Sequence, residues 1–200
     1  SGSGKSTLLN IMGMLDKPTS GNYLFDEKDV AQFSSNKLAD IRRDKIGFVF
    51  QAYNLMPVLT ALENTEMIME FSGVSKKERK QRAIETLEAV GLGEFKNRFP
   101  AQLSGGQQQR VAVARAIAAK PLLVIADEPT ANLDSQSTES LLDLMVSLNE
   151  KLGITFIFSS HDPRVIERAH RVIHLQDGKV MRDEQLADMS AGHPQAAMSS

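Results

Sequence analysis

Ser1-Gly2-Ser3-Gly4-Lys5-Ser6-Thr7 opens the chain. This stretch matches the back half of the phosphate-loop pattern G-x-x-x-x-G-K-[ST], whose first glycine would fall one residue before Ser1. Such a loop works because glycine lets successive backbone N–H groups curl around a phosphate. Ser1, Gly2, Ser3 and Gly4 would line that cradle. Lys5 would reach the β- and γ-phosphates, Ser6 would place its hydroxyl on Mg²⁺, and Thr7 would complete the loop. The spacing predicts a helix from about Lys5 through Leu8, Leu9 and Met12, with its positive end aimed at the anion. The reading therefore expects a nucleoside triphosphate site in a fragment of a longer chain.

The 200 residues allow one sizeable domain with a subdomain. A hydrophobic fraction of 42% supplies a core, and a net charge of −2 argues against a general nucleic-acid footprint. The chain has no cysteine, which excludes disulfides and thiolate metal sites. No apolar run approaches the ~20 residues that span a bilayer.

Downstream, strands and helices alternate. Short apolar runs at Leu122-Leu123-Val124-Ile125-Ala126 and from Ile154 to Phe158 suit parallel strands covered on both faces. Tyr23-Leu24-Phe25 and Ile46-Gly47-Phe48-Val49-Phe50 are further predicted strands. Helices are expected after Ser34 or Ser35, in two pieces between Ala61 and Val90, after Gly105, and from about Gln136 to Leu152. Residues 52–60 read as a loop. Asp177-Gly178 is a hairpin turn signal between two short strands. The dense basic run from Lys76 to Arg82 reads as a solvated helix face. The expected architecture is an α/β phosphate-loop NTPase core, with a mainly parallel sheet flanked by helices and a helical subdomain inserted at about 52–119. The nucleotide-binding domain is expected to span 1–183, with 184–200 a disordered tail.

Asp127 and Glu128 close the apolar strand from Leu122. Functional residues gather at the carboxyl ends of strands in open α/β sheets. Asp127 is placed to hold Mg²⁺, and Glu128 to activate a water as general base. Two adjacent carboxylates are equally a polar strand end, and only the phosphate loop upstream favours the catalytic reading. Leu103-Ser104-Gly105-Gly106-Gln107 precedes a helix. By physics alone it is either a second anion site or an ordinary serine N-cap with glycines in the turn.

That stretch resembles the signature motif of ATP-binding cassette (ABC) ATPases, and its companions occur in the family's order. Gln51 resembles the Q-loop glutamine. Asp127-Glu128 resembles the end of the Walker B strand, Ala131-Asn132-Leu133-Asp134 the D-loop, and His161 the H-loop histidine. The resemblance covers Ser1 to about Asp183. It implies that Ser104, Gly105, Gly106 and Gln107 contact ATP held by a second copy, so that two copies sandwich two nucleotides head to tail. It implies that Gln51 touches Mg²⁺ and the water, that Asp134 acts across the dimer, and that His161 holds the γ-phosphate and supports Glu128. Phe48-Val49-Phe50-Gln51-Ala52-Tyr53-Asn54-Leu55-Met56-Pro57, with Thr60-Ala61-Leu62-Glu63-Asn64, is similar to the lipoprotein-release and macrolide-export branch. That implies an ATPase, using ATP and Mg²⁺, peripheral at the cytoplasmic face of the plasma (inner) membrane. It would power export or extraction through an integral-membrane permease, with no nucleic acid expected.

The family's strand feeding the phosphate loop and its adenine-stacking aromatic are not in this sequence. The 200 residues alone are therefore expected to be unstable and to bind ATP poorly. The alternatives are a soluble cassette ATPase of DNA maintenance, cell division or complex assembly, and a small-molecule phosphoryl transferase. The absence of a heptad insertion counts against the DNA-maintenance members, and the signature and Gln51 have no place in a transferase.

Overall fold

The computed structural model describes residues 3–186. Helix α1 (Lys5–Met12) leads into a hairpin of β1 (Leu24–Phe25) and β2 (Lys28–Asp29). Then come α2 (Ser35–Lys45), β3 (Ile46–Phe50), α3 (Ala61–Phe71), α4 (Lys76–Ala89) and α5 (Gly105–Ile117). The chain continues through β4 (Leu123–Asp127), α6 (Ser135–Leu152), β5 (Thr155–Ser159), α7 (Pro163–Glu167), β6 (Arg171–Gln176) and β7 (Lys179–Gln185).

Strands β3, β4 and β5 form a parallel sheet in that order. The pleat sorts their apolar residues onto two faces. Val49, Val124 and Ala126 join Val111, Ala114, Leu141, Met145 and Leu148 from α5 and α6 in one core cluster. Ile46, Leu123 and Ile125 join Leu9, Val30 and Leu38 in a second. Covering on both faces explains why β4 is continuously apolar rather than alternating. The expected strands at 122–126 and 154–158 each lie one residue further along.

Close packing of α5 on the sheet depends on Gly47 in β3. A Cβ there would stand 2.4 Å from the Ala116 carbonyl oxygen, closer than any side chain tolerates. Helices α3 and α4 pack with α5 through Met69, Ala83 and Ala118, which supports the expected helical subdomain. The basic run is a mostly solvated face of α4, with Arg79 and Arg82 half-buried. Arg82 pairs with Glu78, and Arg79 with Glu66 and Glu70.

Three features depart from the sequence reading. Strand β2 was not foreseen: Asp26 and Glu27, at φ 50° and 63°, turn β1 into it without a glycine. Helix α7 starts at Pro163 behind an Asp162 cap, in a stretch to which the sequence reading assigned no element. Strand β7 runs to Gln185, past the tail boundary expected at 184, because Val172 pairs with Glu184 and Arg171 with Gln185. The rest of the expected tail, from Ala187 on, lies outside the described residues. The Asp177-Gly178 turn forms as expected, with both residues at positive φ.

Candidate active site

The register of the sheet assembles the site. Phe50 pairs with Asp127, and Asp127 with Ser159, so the three parallel strands end level. The next residues, Gln51, Glu128 and the segment carrying His161, therefore emerge at one edge, where open α/β sheets place their chemistry. Asp127 is half-buried as the last residue of β4. Glu128 adopts φ 46°, donates its N–H to the Ser159 carbonyl at 2.9 Å, and meets His161 Nδ1 through Oε1 at 2.9 Å. A left-handed glutamate immediately after a buried strand is an uncommon, strained conformation.

Ser1 and Gly2 lie outside the described residues. Gly4 precedes α1 at φ 86°, a conformation that favours glycine, and no side chain caps the helix. The first-turn N–H groups are thus left for an anion. Lys5 is half-buried, whereas Ser6 and Thr7 are exposed. The turn between β6 and β7 closes on the loop, with Gly178 N–H donating to Ser3 O at 3.0 Å.

The signature stretch occupies the start of α5. Ser104 Oγ accepts from Gln107 N–H at 3.3 Å, and Gln107 Oε1 accepts from Ser104 N–H at 2.9 Å, a reciprocal capping box. Both sequence readings of Ser104 are compatible with this geometry, since the cap itself engages the N–H groups of Ser104 and Gln107 and not those of Gly105 and Gly106. Gly105 and Gly106 are tightly approached: added Cβ atoms would stand 3.0 Å from Tyr53 Oη and 3.0 Å from Ser137 Oγ, so those side-chain ends would have to shift. Asp134 caps α6, accepting from Ser137 N–H at 2.9 Å and from Ser137 Oγ at 2.6 Å. The Ser137 hydroxyl, with its backbone N–H, holds the Asp134 carboxyl below the usual carboxylate range.

Several residues that organise these loops were not singled out by sequence. Gln109, fully buried, donates to the Pro129 carbonyl at 2.6 Å and to Phe50 O at 3.4 Å, tying α5 to the turn after Glu128. Arg115 donates to Tyr53 O at 2.9 Å and Asn54 O at 2.5 Å, where the chain runs through two left-handed residues. Burial pushes the Arg115 pKa down. Buried Asn64 braces the loop at 52–60, accepting from Met56 N–H and donating to the carbonyls of Met56, Leu59 and Thr60. Asn132 and Gln51 exchange two hydrogen bonds. Only Asn64 and Asn132 lay inside quoted motifs. The others reveal themselves through backbone carbonyls, which a sequence does not show.

The model of the ABC transporter family matches residues 1–131 of this chain. The chain belongs to the ABC transporter family. It is an ATP-binding, ATP-hydrolysing member of it. An uncharacterized ABC transporter ATP-binding protein of Methanocaldococcus jannaschii, MJ0796, is 51% identical over 93% of this chain and 81% of its own length. A macrolide export ATP-binding/permease protein, MacB, of Syntrophobacter fumaroxidans is 49% identical over 90% of this chain but only 26% of its own length. A dimeric structure of the cassette MJ0796 in a post-hydrolysis state, bound to ADP and Pi, superposes with a TM-score of 0.82 at 48% identity, covering 94% of this chain and 82% of that one. Among the described residues, no helix is long and apolar enough to cross a membrane.

Proposed function

We propose that this ABC ATPase powers a membrane permease by closing as a head-to-tail dimer around two ATP molecules and reopening after hydrolysis. The observation that carries the reading is the level ending of β3, β4 and β5, which sets Gln51, Asp127, Glu128 and His161 along one edge. Ser1 to Thr7 bind the phosphates. Glu128 takes the proton from the attacking water, and His161 holds Glu128 and reaches the γ-phosphate. Ser104, Gly105, Gly106 and Gln107 serve the ATP of the partner copy, and Asp134 acts across the interface. The dimer of MJ0796, bound to ADP and Pi, supports that arrangement.

The Ser6 hydroxyl, the Gln51 amide oxygen and the Asp127 carboxylate are all hard oxygen donors. That set fits Mg²⁺, which takes a few protein oxygens together with phosphates and water. Held there, the ion would offset the charge that develops on the phosphates. Ser6, Gln51 and Asp127 would orient it, while Lys5 adds a fixed positive charge.

The permease reading draws on the braced loop at 52–60. Asn64 fixes that loop while Met56 and Val58 stay exposed, and Ala61 N–H to Arg98 O at 2.8 Å brings exposed Phe99 to the same end. An exposed apolar surface on the loop that follows Gln51 suits a segment of a membrane partner and lets that partner sense the nucleotide. Likeness to macrolide export proteins supports export or extraction, with the ATPase at the cytoplasmic face of the inner membrane. The test is recovery of the full-length chain, as Glu128→Gln with ATP, from detergent-solubilised membranes of its host. A stoichiometric integral-membrane partner supports the reading. Recovery of soluble proteins or nucleic acid alone overturns it in favour of a DNA-maintenance or assembly ATPase.

A further inference from the structure

The geometry points to Asn132 as the positioning residue that sets which way the amide of Gln51 faces, leaving its oxygen for the divalent cation. This rests on the reading of Gln51 as a metal contact. A glutamine amide presents an acceptor oxygen on one side and a donor NH₂ on the other. An exposed glutamine can show either, and only the oxygen can ligate a cation. A side chain that is turned the wrong way half the time is a poor ligand.

A backbone carbonyl removes that ambiguity. The Gln51 carbonyl oxygen can only accept, so the Asn132 side-chain atom 3.0 Å from it must be Nδ2. Asn132 Oδ1 is then the atom turned to the Gln51 side chain. The Gln51 atom 3.4 Å from Oδ1 must in turn be Nε2. The polarity of one peptide group thus passes through Asn132 to the Gln51 amide, and Gln51 Oε1 is the atom outside the exchange. The second contact is long, so the effect is a bias rather than a lock.

The frame around Asn132 is itself held. Tyr53 Oη donates to the Asn132 carbonyl at 3.4 Å, and the Tyr53 carbonyl is gripped by Arg115 at 2.9 Å. Leu133 N–H donates to Thr130 O at 3.1 Å, closing the turn from the other side. Asn132 also lies in the turn that delivers Asp134 to the cap of α6. Movement of that turn on dimer closure would therefore be felt at the Gln51 amide, coupling the interface to the metal side of the site.

The test uses the full-length chain carrying Glu128→Gln, so that ATP persists, with Mn²⁺ in place of Mg²⁺ and free Mn²⁺ read by electron paramagnetic resonance. Asn132→Ala should weaken Mn²⁺ binding to the ATP complex about three- to tenfold, the worth of one modest hydrogen-bond relay. Metal-free ATP affinity should stay unchanged. Asn132→Leu, closer to asparagine in size but with neither donor nor acceptor, should show the same loss, which separates orientation from a collapsed turn. Gln51→Ala should lose at least as much, and adding Asn132→Ala to it should cost nothing further. If Gln51→Ala weakens Mn²⁺ binding and neither Asn132 variant does, or if the losses add, the orienting role is overturned and the metal contact stands. If Gln51→Ala leaves Mn²⁺ binding unchanged, both fall.

Discussion

His161 Nδ1 lies 2.9 Å from Glu128 Oε1, joining the segment after β5 to the end of β4. A carboxylate only accepts, so this contact requires the tautomer with the proton on Nδ1. The His161 side chain is 83% exposed and Glu128 only 23%, so the contact runs from an open imidazole to a largely enclosed carboxylate. Glu128→Gln retains this contact through the amide oxygen but cannot take a proton. ATP binding should persist while turnover falls about 10²- to 10⁴-fold and a closed dimer accumulates. Phosphate release and light scattering read both, and near-normal turnover would remove Glu128 from its role.

Gly47 tests the packing beneath the site. A Cβ 2.4 Å from the Ala116 carbonyl oxygen cannot be absorbed by a rotamer change, so α5 must lift from β3. Gly47→Ala should cost about 1–3 kcal/mol of stability. Urea unfolding of the full-length protein measures it, and an unchanged midpoint would show that the helix does not rest on this strand.

Arg115 is the staple for the loop after Gln51. Arg115→Met keeps most of the apolar stem but leaves the carbonyls of Tyr53 and Asn54 without their guanidinium. A loss of about 1–3 kcal/mol is expected, with faster proteolysis confined to the loop at 52–60. Uniform acceleration across the chain would argue for general unfolding instead.

Asp134 carries a pH signature. Its carboxyl is held below the usual range by Ser137, so its cap contributes fully above the ordinary carboxylate pKa. That contribution is lost as pH falls through the depressed value. Asp134→Asn keeps an acceptor at the cap but does not titrate. The melting temperatures of the two proteins should therefore converge as pH falls from about 7 toward about 3. A difference that stays constant would mean that the cap does not form.

Much of the site was legible in sequence because its chemistry is carried by residue types at fixed offsets. Gly4-Lys5-Ser6, Asp127-Glu128 after an apolar run, and Ser104-Gly105-Gly106-Gln107 before a helix each announce themselves locally. Ser104 shows the limit, since capping box and anion site use the same residues at the same spacing. Helix α7 escaped although Asp162-Pro163 is a helix-start signal, because the helix is only five residues long and no periodicity develops. The Asp26-Glu27 turn escaped because it carries no glycine. Asp134 was assigned to a partner copy, and within the chain it also caps α6.

By itself, the sequence determined the order of the strands and helices apart from β2 and α7, the phosphate-loop start of α1, and the identity of the residues at the strand ends. Periodicity, capping and turn chemistry act over a few residues and can be read in a line. Only the tertiary structure decided that Phe50, Asp127 and Ser159 end level, that Gln109 and Arg115 grip carbonyls on distant loops, and that Asn132 reads the polarity of the Gln51 peptide. Those relationships depend on sheet register and on backbone oxygens, which every residue carries alike and no sequence distinguishes.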